Sequence, residues 1–333
     1  VGVDRETFKI HDEICCPHCG VRGRKEEMEL VYESKIDPIT GVVKKLPKRV
    51  PTEIYYKKNS ELVYKEPDEN DLDVLAKIER LAFPPEFPSK DFPDSQMKRV
   101  GRMTTTNTNS ISDIFVTRAA HTMATLWRKA DQETDIGTRR FLRFMVEQAI
   151  WGLSALNRYQ PSQHLNYGGS QVNRQLNGVY YIASMYAECS PWHNLDGKVK
   201  RLASAFKKFV GISGASCIAA GPADRIGAPD NSIDYIFTDP PFGENIYYAD
   251  LNFLVESWHG VITNELPEAI IDRVRGKGVF EYQIAMEKCF AEYHRVLKPG
   301  RWMTVVFSNS KAAVWNAIQV SLQKAGFVVA EVA

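Results

Sequence analysis

The 333-residue chain has no apolar run that approaches eighteen consecutive residues. A helical span of a bilayer needs about twenty, so no membrane partner is expected. A secretory start is also missing, because Val1-Gly2-Val3-Asp4 has neither a charged opening nor an apolar core behind it. Charge of one sign is scarce: 42 Lys and Arg against 41 Asp and Glu leave a net charge of +1. Overall electrostatics therefore neither demands nor excludes a nucleic-acid partner, and any phosphate-binding surface must be a local patch. Six cysteines are too few for a disulfide framework. Cys189, Cys217 and Cys289 lie far apart beside apolar or small residues, which predicts buried, reduced thiols and a cytoplasmic setting. Internal repeats, low-complexity tracts and an initiator Met are absent too.

What is present is ordinary globular composition, 44% hydrophobic and 25% charged, at a length that suits two compact domains. Residues 1–30 hold a cysteine cluster. Residues 31–110 read as an extended or linker region. Short strands are expected around Val50-Pro51-Thr52-Glu53-Ile54-Tyr55-Tyr56, a short helix opens at Asp71, and a proline-rich stretch runs from Phe83 to Phe92. Residues 111–210 read as helical. Ser112 or Asp113 is expected to cap one helix, a second spans Arg139 to Leu156, and a basic third spans Lys198 to Phe209. From 211 to 333, short apolar runs alternate with helices. Ser216–Ala220, Ile233–Thr238, Trp302–Phe307 and Phe327–Ala330 are expected strands, the first three buried on both faces. Phe280–Val296, stopped by Lys298-Pro299-Gly300, and Val314–Ala325 are expected helices. The alternation argues for a parallel α/β sheet.

Chemistry is concentrated in Asp239-Pro240-Pro241-Phe242, at the carboxyl end of the strand 233–238, where α/β sheets bind ligands. Chance would produce such a tetrapeptide in this length with a probability on the order of a few in a thousand. An exocyclic amine on a nucleobase is a poor nucleophile, its lone pair delocalised into the ring. The Asp239 carboxylate and the Pro240 carbonyl can both accept hydrogen bonds from that amine and favour the pyramidal nitrogen. Two prolines fix φ and offer no N–H donor. Phe242 offers a ring on which an extruded base can stack.

The stretch from Asn231 to Gly243 resembles the fourth motif of amino-type DNA methyltransferases, and Tyr293–Trp302 is similar to the helix-to-strand turn that follows it. Glu244–Leu251 together with Cys16-Pro17-His18-Cys19-Gly20 resemble adenine-specific DNA methylases with a zinc ribbon, enzymes of the kind found in restriction–modification. The resemblance implies an α/β fold with a partial Rossmann-like class I methyltransferase sheet, an inserted helical region and an N-terminal zinc-ribbon-like segment. It implies transfer of a methyl group from S-adenosylmethionine to N6 of a flipped-out adenine in double-stranded DNA. Asp239, Pro240, Pro241 and Phe242 would be catalytic. Asp224, Thr238 and Asp239 would contact the cofactor.

The family's glycine-rich cofactor loop of the Asp-Pro-Phe-x-Gly-x-Gly type is missing from these residues. The expectation is a piece of a longer protein, with the loop supplied by a preceding segment or another subunit. Cys16 and Cys19 form a CxxC knuckle for structural zinc, with Cys15 as an alternative ligand and His11 or His18 nearby. Four ligands are needed and no second CxxC follows, so a partner knuckle upstream and a vestigial site both stay open.

The segment from Asn157 to Asn177 is rich in amides, arginines and aromatics. Arg158, Gln163, Asn166, Tyr167, Gln171 and Arg174 are candidates for DNA contacts, since Asn and Gln read adenine and Arg reads guanine or phosphate. Arg273, Arg275 and Lys277 are expected to form a mobile basic loop that clamps phosphates. Tyr247, within the stretch Glu244–Tyr248 that is expected to move on substrate binding, completes the set. Two other readings remain: an amino methyltransferase acting on cytosine N4 or an RNA base, and a non-catalytic DNA-binding subunit.

Overall fold

Turn chemistry organises the N-terminal residues into three antiparallel hairpins. The computed structural model describes residues 4, 7, 9, 11, 13–16, 19–24, 27–166, 175–212 and 214–331. Strands β1 (Glu13–Cys15) and β2 (Arg22–Arg24) pair first, then β3 (Tyr32–Ile36) with β4 (Val43–Pro47), then β5 (Ile54–Lys58) with β6 (Glu61–Lys65). The β5–β6 turn places both Asn59 and Ser60 at positive φ, the twist that suits a two-residue hairpin. Helix α1 (Glu69–Glu79) follows, opened by Asp68 rather than Asp71. The two carboxylates cap each other's backbone N–H groups at 3.0 Å, a reciprocal capping box.

After α2 (Gln96–Val100) come α3 (Thr117–Asp131), α4 (Ile136–Glu147), α5 (Ile150–Leu153), α6 (Pro161–Asn166) and α7 (Pro191–Phe209). Two expected boundaries shift. Ser112 and Asp113 sit in a one-turn 3₁₀ helix instead of capping α3, because the Asp113 carboxylate accepts from the N–H groups of Asn109 and Ser110 at 2.8 Å and closes its own turn. The helix expected over 139–156 breaks between α4 and α5, at Gln148-Ala149.

The remainder is α8 (Tyr248–His259), α9 (Val279–Val296) and α10 (Ala312–Lys324), with strands β7 (Ile233–Thr238) and β8 (Leu297–Val305). Strands β7 and β8 pair in parallel, Phe237 opposite Thr304 and Thr238 opposite Val305. The fold is mixed α/β, with sheets of two strands each among the described residues. Lys298-Pro299-Gly300 lies within β8 as an irregularity, with Gly300 at φ +73°, and α9 ends before it at Val296.

Three strand expectations are corrected. Residues 216–220 and 327–330 are outside any strand, with Ile218 97% exposed, and the Cys217 thiol is exposed rather than buried. An apolar run without a neighbouring strand has no partner for its backbone groups and stays irregular. Strands β7 and β8 are not buried on both faces either, since Tyr235, Phe237 and Trp302 are 54%, 66% and 67% exposed.

Contacts divide the chain into two units, Val1–Phe92, Lys98–Val210 and Leu254–Val261 in the first, and Pro93–Met97, Gly211–Phe253 and Ile262–Ala333 in the second. The first has an aromatic core in which the Phe87 ring packs edge-on against Phe115 and Trp258 at 5.3 and 5.2 Å. The second is built on Ile271, Tyr282, Met286, Phe290, Val314 and Ile318. No helix among the described residues is long and apolar enough to cross a membrane.

One buried ion pair fastens the β3–β4 hairpin within the first unit. The Lys44 ammonium reaches Asp37 at 2.7 Å, Asp113 at 3.2 Å and the Ser110 hydroxyl at 2.7 Å, and both carboxylate side chains are 2% exposed. Lys44→Met is expected to cost about 3–5 kcal/mol in urea unfolding, because two buried carboxylates lose their cation. Burial works to raise the Asp37 pKa, but Lys44 and the N–H groups of Thr40 and Ile39 hold it well below the ordinary 3.8. Its contribution is thus present above about pH 3.8 and lost as the pH falls further, and Lys44→Met flattens that acid limb.

Candidate active site

The Asp239–Gly243 turn leaves β7 where Thr238 still accepts from the Val306 N–H at 2.9 Å. Beyond it, three successive carbonyls are tethered by the second unit. The Tyr282 hydroxyl donates to Pro241 O at 2.5 Å, Asn309 Nδ2 to Phe242 O at 2.7 Å, and the Ile271 N–H to Gly243 O at 3.1 Å. Gly243 takes φ +76°, and a Cβ there would meet Ile271 and Val314 at 3.2 Å; a glycine is needed on both counts. The Phe242 ring stands edge-on to Phe307 at 5.3 Å, and Phe307 to Trp315 at 5.1 Å. Asn309 is itself fixed, accepting from the Lys311 N–H at 2.7 Å, while its carbonyl takes the Trp315 indole N–H at 2.7 Å.

Two acceptors in this turn are left over. Among the described residues, neither the Pro240 carbonyl nor the exposed Asp239 carboxylate receives a hydrogen bond. Every backbone oxygen from Pro241 to Gly243 is satisfied internally; of the two left over, the Asp239 carboxylate is exposed, while the Pro240 carbonyl belongs to a buried residue. A carboxylate and the carbonyl of the next residue can each accept one hydrogen of an NH2 group.

Tyr248, at the start of α8, adds an aromatic 38% exposed. Burial raises its phenol pKa, and the negative charges of Asp239 and Glu268 raise it further. Glu268 accepts from the Ala249 N–H at 2.9 Å through one oxygen, while its other oxygen is buried without a partner among the described residues; burial raises its pKa. Glu244 forms an ion pair with Lys311, and Tyr247 is buried.

Beside the turn, an apolar cavity of about 350 Å³ runs along β7, lined by Ile226, Ile233, Ile236, Phe237, Thr238 and Tyr293 among others. Thr238 is in its wall, Asp239 follows by one residue, and Asp224 is exposed in the loop that leads to Ile226. A wall of this kind suits a flat apolar ring.

The basic loop differs from expectation in two of its three cations. Arg275 is drawn inward, with both terminal nitrogens on Asp250 at 2.8 and 3.1 Å and one near Asp272 at 3.4 Å. The Lys277 ammonium donates to the carbonyls of Glu265 and Glu268 at 3.0 and 2.8 Å. Paired backbone bonds between Asp272 and Lys277 close the loop tightly, and Arg273 alone of the three is exposed. Lys277 and Arg275 hold this loop together and leave one cation for an outside phosphate.

Of the DNA candidates on the other unit, Arg158 pairs with Tyr186 through backbone and is partly buried, as is Gln163 on α6. Asn166 closes α6, and Tyr167, Gln171 and Arg174 lie outside the described residues. Cys16 and Cys19 flank the β1–β2 connection, where Gly20 at φ +70° donates to Cys16 O at 2.9 Å and Cys16 donates to Val21 O at 2.9 Å. His11 is exposed, His18 lies outside the described residues, and among the described residues no group of three or more potential ligands gathers.

No model of a known protein family matches the chain, and neither does any curated protein or solved structure.

Proposed function

We propose that the Asp239–Phe242 turn is the amine-binding centre of a DNA methyltransferase that modifies N6 of an extruded adenine. The observation that carries this reading is the pair of unclaimed acceptors, Asp239 carboxylate and Pro240 carbonyl, in a turn whose next three carbonyls are tethered. In this reading Asp239 and Pro240 each accept one hydrogen of the amine and turn its lone pair out of conjugation. Pro241, held through its carbonyl, fixes the turn, and Phe242 supports the base ring. S-adenosylmethionine, when bound, supplies an electrophilic methyl carbon. As the nitrogen gains positive charge on taking the methyl, the adjacent Asp239 carboxylate would stabilise that charge and accept the proton the nitrogen then sheds, passing it to water.

Strands β7 and β8 would be neighbours in a Rossmann-like class I sheet. Thr238 and the apolar cavity along β7 would take part of the cofactor, with Asp224 and Asp239 as polar contacts. The glycine-rich loop would come from a segment outside these residues or from another subunit. Duplex DNA is the proposed partner, and a cytoplasmic setting goes with it. Structural zinc on Cys16 and Cys19 belongs to the same proposal, completed by ligands from elsewhere.

The test is transfer of labelled methyl from S-adenosylmethionine to duplex DNA, followed by nucleoside analysis. It is run with the 333-residue chain and with a form extended at its N-terminus. N6-methyladenine is the expected product. N4-methylcytosine would move the same chemistry to the other base, and DNA binding without any methylated nucleoside from either form would overturn the enzyme reading.

A further inference from the structure

A second cavity, of about 340 Å³, lies in the first unit between α3 and the first turn of α7. Its walls are Leu126, Leu195, Pro191 and Trp192, with His121, Thr122, Thr125 and Lys129 around them. Trp192 is 79% exposed and has no aromatic or hydrogen-bond partner among the described residues. An indole left in water at the mouth of an apolar cavity gives up burial, which a flat ring laid over it would restore. The cavity is at the small end of ligand sites, which run from about 300 to 1,000 Å³, room for one flat ring system.

The polar groups narrow the class. His121 Nε2 faces the Ala82 carbonyl at 3.0 Å; since a carbonyl only accepts, Nε2 carries the proton and the ring is held in place. The Thr122 hydroxyl donates to Arg118 O at 2.9 Å and is spent internally. Lys129 is exposed and has no anionic partner among the described residues. It is thus the free charge at this site. The helix that carries Trp192 has five cations, Lys198, Lys200, Arg201, Lys207 and Lys208, against one carboxylate, Asp196. Asp196 is already paired with Lys200 at 2.6 Å. An aromatic platform beside an unpaired cation, on a helix of net positive charge, is the combination that binds single-stranded nucleic acid, rings stacking and phosphates meeting charge.

We infer that this cavity takes an unpaired nucleobase stacked on Trp192, with an adjacent phosphate on Lys129. With His121 and Thr122 held by internal carbonyls, few polar groups remain to read a base edge, so it discriminates weakly among bases. The site shares no residue with the Asp239 turn and does not depend on methyl transfer.

The experiment is anisotropy of a fluorescein-labelled 20-nucleotide oligodeoxythymidine titrated with the full chain at two salt concentrations. Trp192→Ala is expected to weaken binding about tenfold, as loss of one base stack does, while Trp192→Phe keeps most of the affinity. Lys129→Met is expected to lower the slope of log affinity against log salt by about 0.7. Because Trp192 is largely in solvent, melting temperatures of the three variants should match the parent and keep misfolding apart from loss of the site. Equal affinity of Trp192→Ala and parent would overturn the inference. So would failure of the parent to bind the oligonucleotide, or equal competition by polyglutamate, which would mean that charge alone is read. Methyl-transfer activity enters none of these readouts, so this inference and the proposed reaction fail separately.

Discussion

Replacing Asp239 with alanine is expected to lower the rate of methyl transfer by about 10²–10³-fold, the scale set by removing one preorganised polar group that meets developing charge. Duplex affinity and melting temperature should stay close to the parent values. The argument lies in what the carboxylate does not do: it is exposed and accepts no hydrogen bond among the described residues. Removing it orphans no donor and opens no cavity. Tyr282, Asn309 and the Ile271 N–H go on holding Pro241, Phe242 and Gly243. Asp239→Asn keeps an acceptor of the same shape and loses the charge, so it should fall between parent and Ala. Single-turnover rates with a saturating duplex make the measurement. A fall in affinity with an unchanged single-turnover rate would place Asp239 in DNA binding and remove it from the chemistry.

Sequence alone marks this turn because its pattern is local: four consecutive residues at a strand end. What holds the turn is not local. Tyr282 and Asn309 lie 41 and 67 residues from the carbonyls they tether, and a tyrosine in the middle of an amphipathic helix reads as core until the fold brings its hydroxyl to Pro241. Asn309, next to serines after a strand, carries the weaker but genuine signal of a loop cap. Arg275 and Lys277 misled for the same reason. Spaced by glycines they read as solvated cations, and only the packing of α8 and the 265–268 turn reveals the carboxylates and carbonyls that claim them. The apolar run Ser216–Ala220 is the opposite case. Its composition fits a strand, but composition supplies no neighbour, and an unpaired strand does not form. Helices fared better over 280–296 than over 139–156, where only the fold reveals the break after α4.

The claimed cation makes a stability prediction of its own. Arg275→Met is expected to destabilise the second unit by about 3–5 kcal/mol, since it strands the Asp250 and Asp272 carboxylates without their guanidinium. Both side chains are 0% exposed, and Arg275 is 12% exposed. A loss of that size is a large part of the roughly 5–15 kcal/mol that holds a typical domain folded. Arg275→Lys should recover only part of it, because a single ammonium cannot reproduce the paired bonds to Asp250.

The pH dependence has a definite sign. Burial raises the Asp250 pKa even with Arg275 hydrogen-bonded to it, and removing the arginine raises it further. A carboxyl whose folded pKa lies above its unfolded one favours the folded state most at low pH, and that advantage is lost as the pH rises through the folded value. The gap between Arg275→Met and parent in urea unfolding should therefore be wider at pH 8 than at pH 5. Asp250→Asn placed in the Arg275→Met background should narrow it at pH 8. The effect reaches the Asp239–Gly243 turn, because Asp272 directly follows Ile271, whose N–H tethers Gly243. A variant that is still folded should lose transfer rate along with stability, whereas Asp239→Ala loses rate alone. An urea midpoint that is the same for parent and Arg275→Met at both pH values would show that water reaches these carboxylates and that the ion pair contributes nothing net.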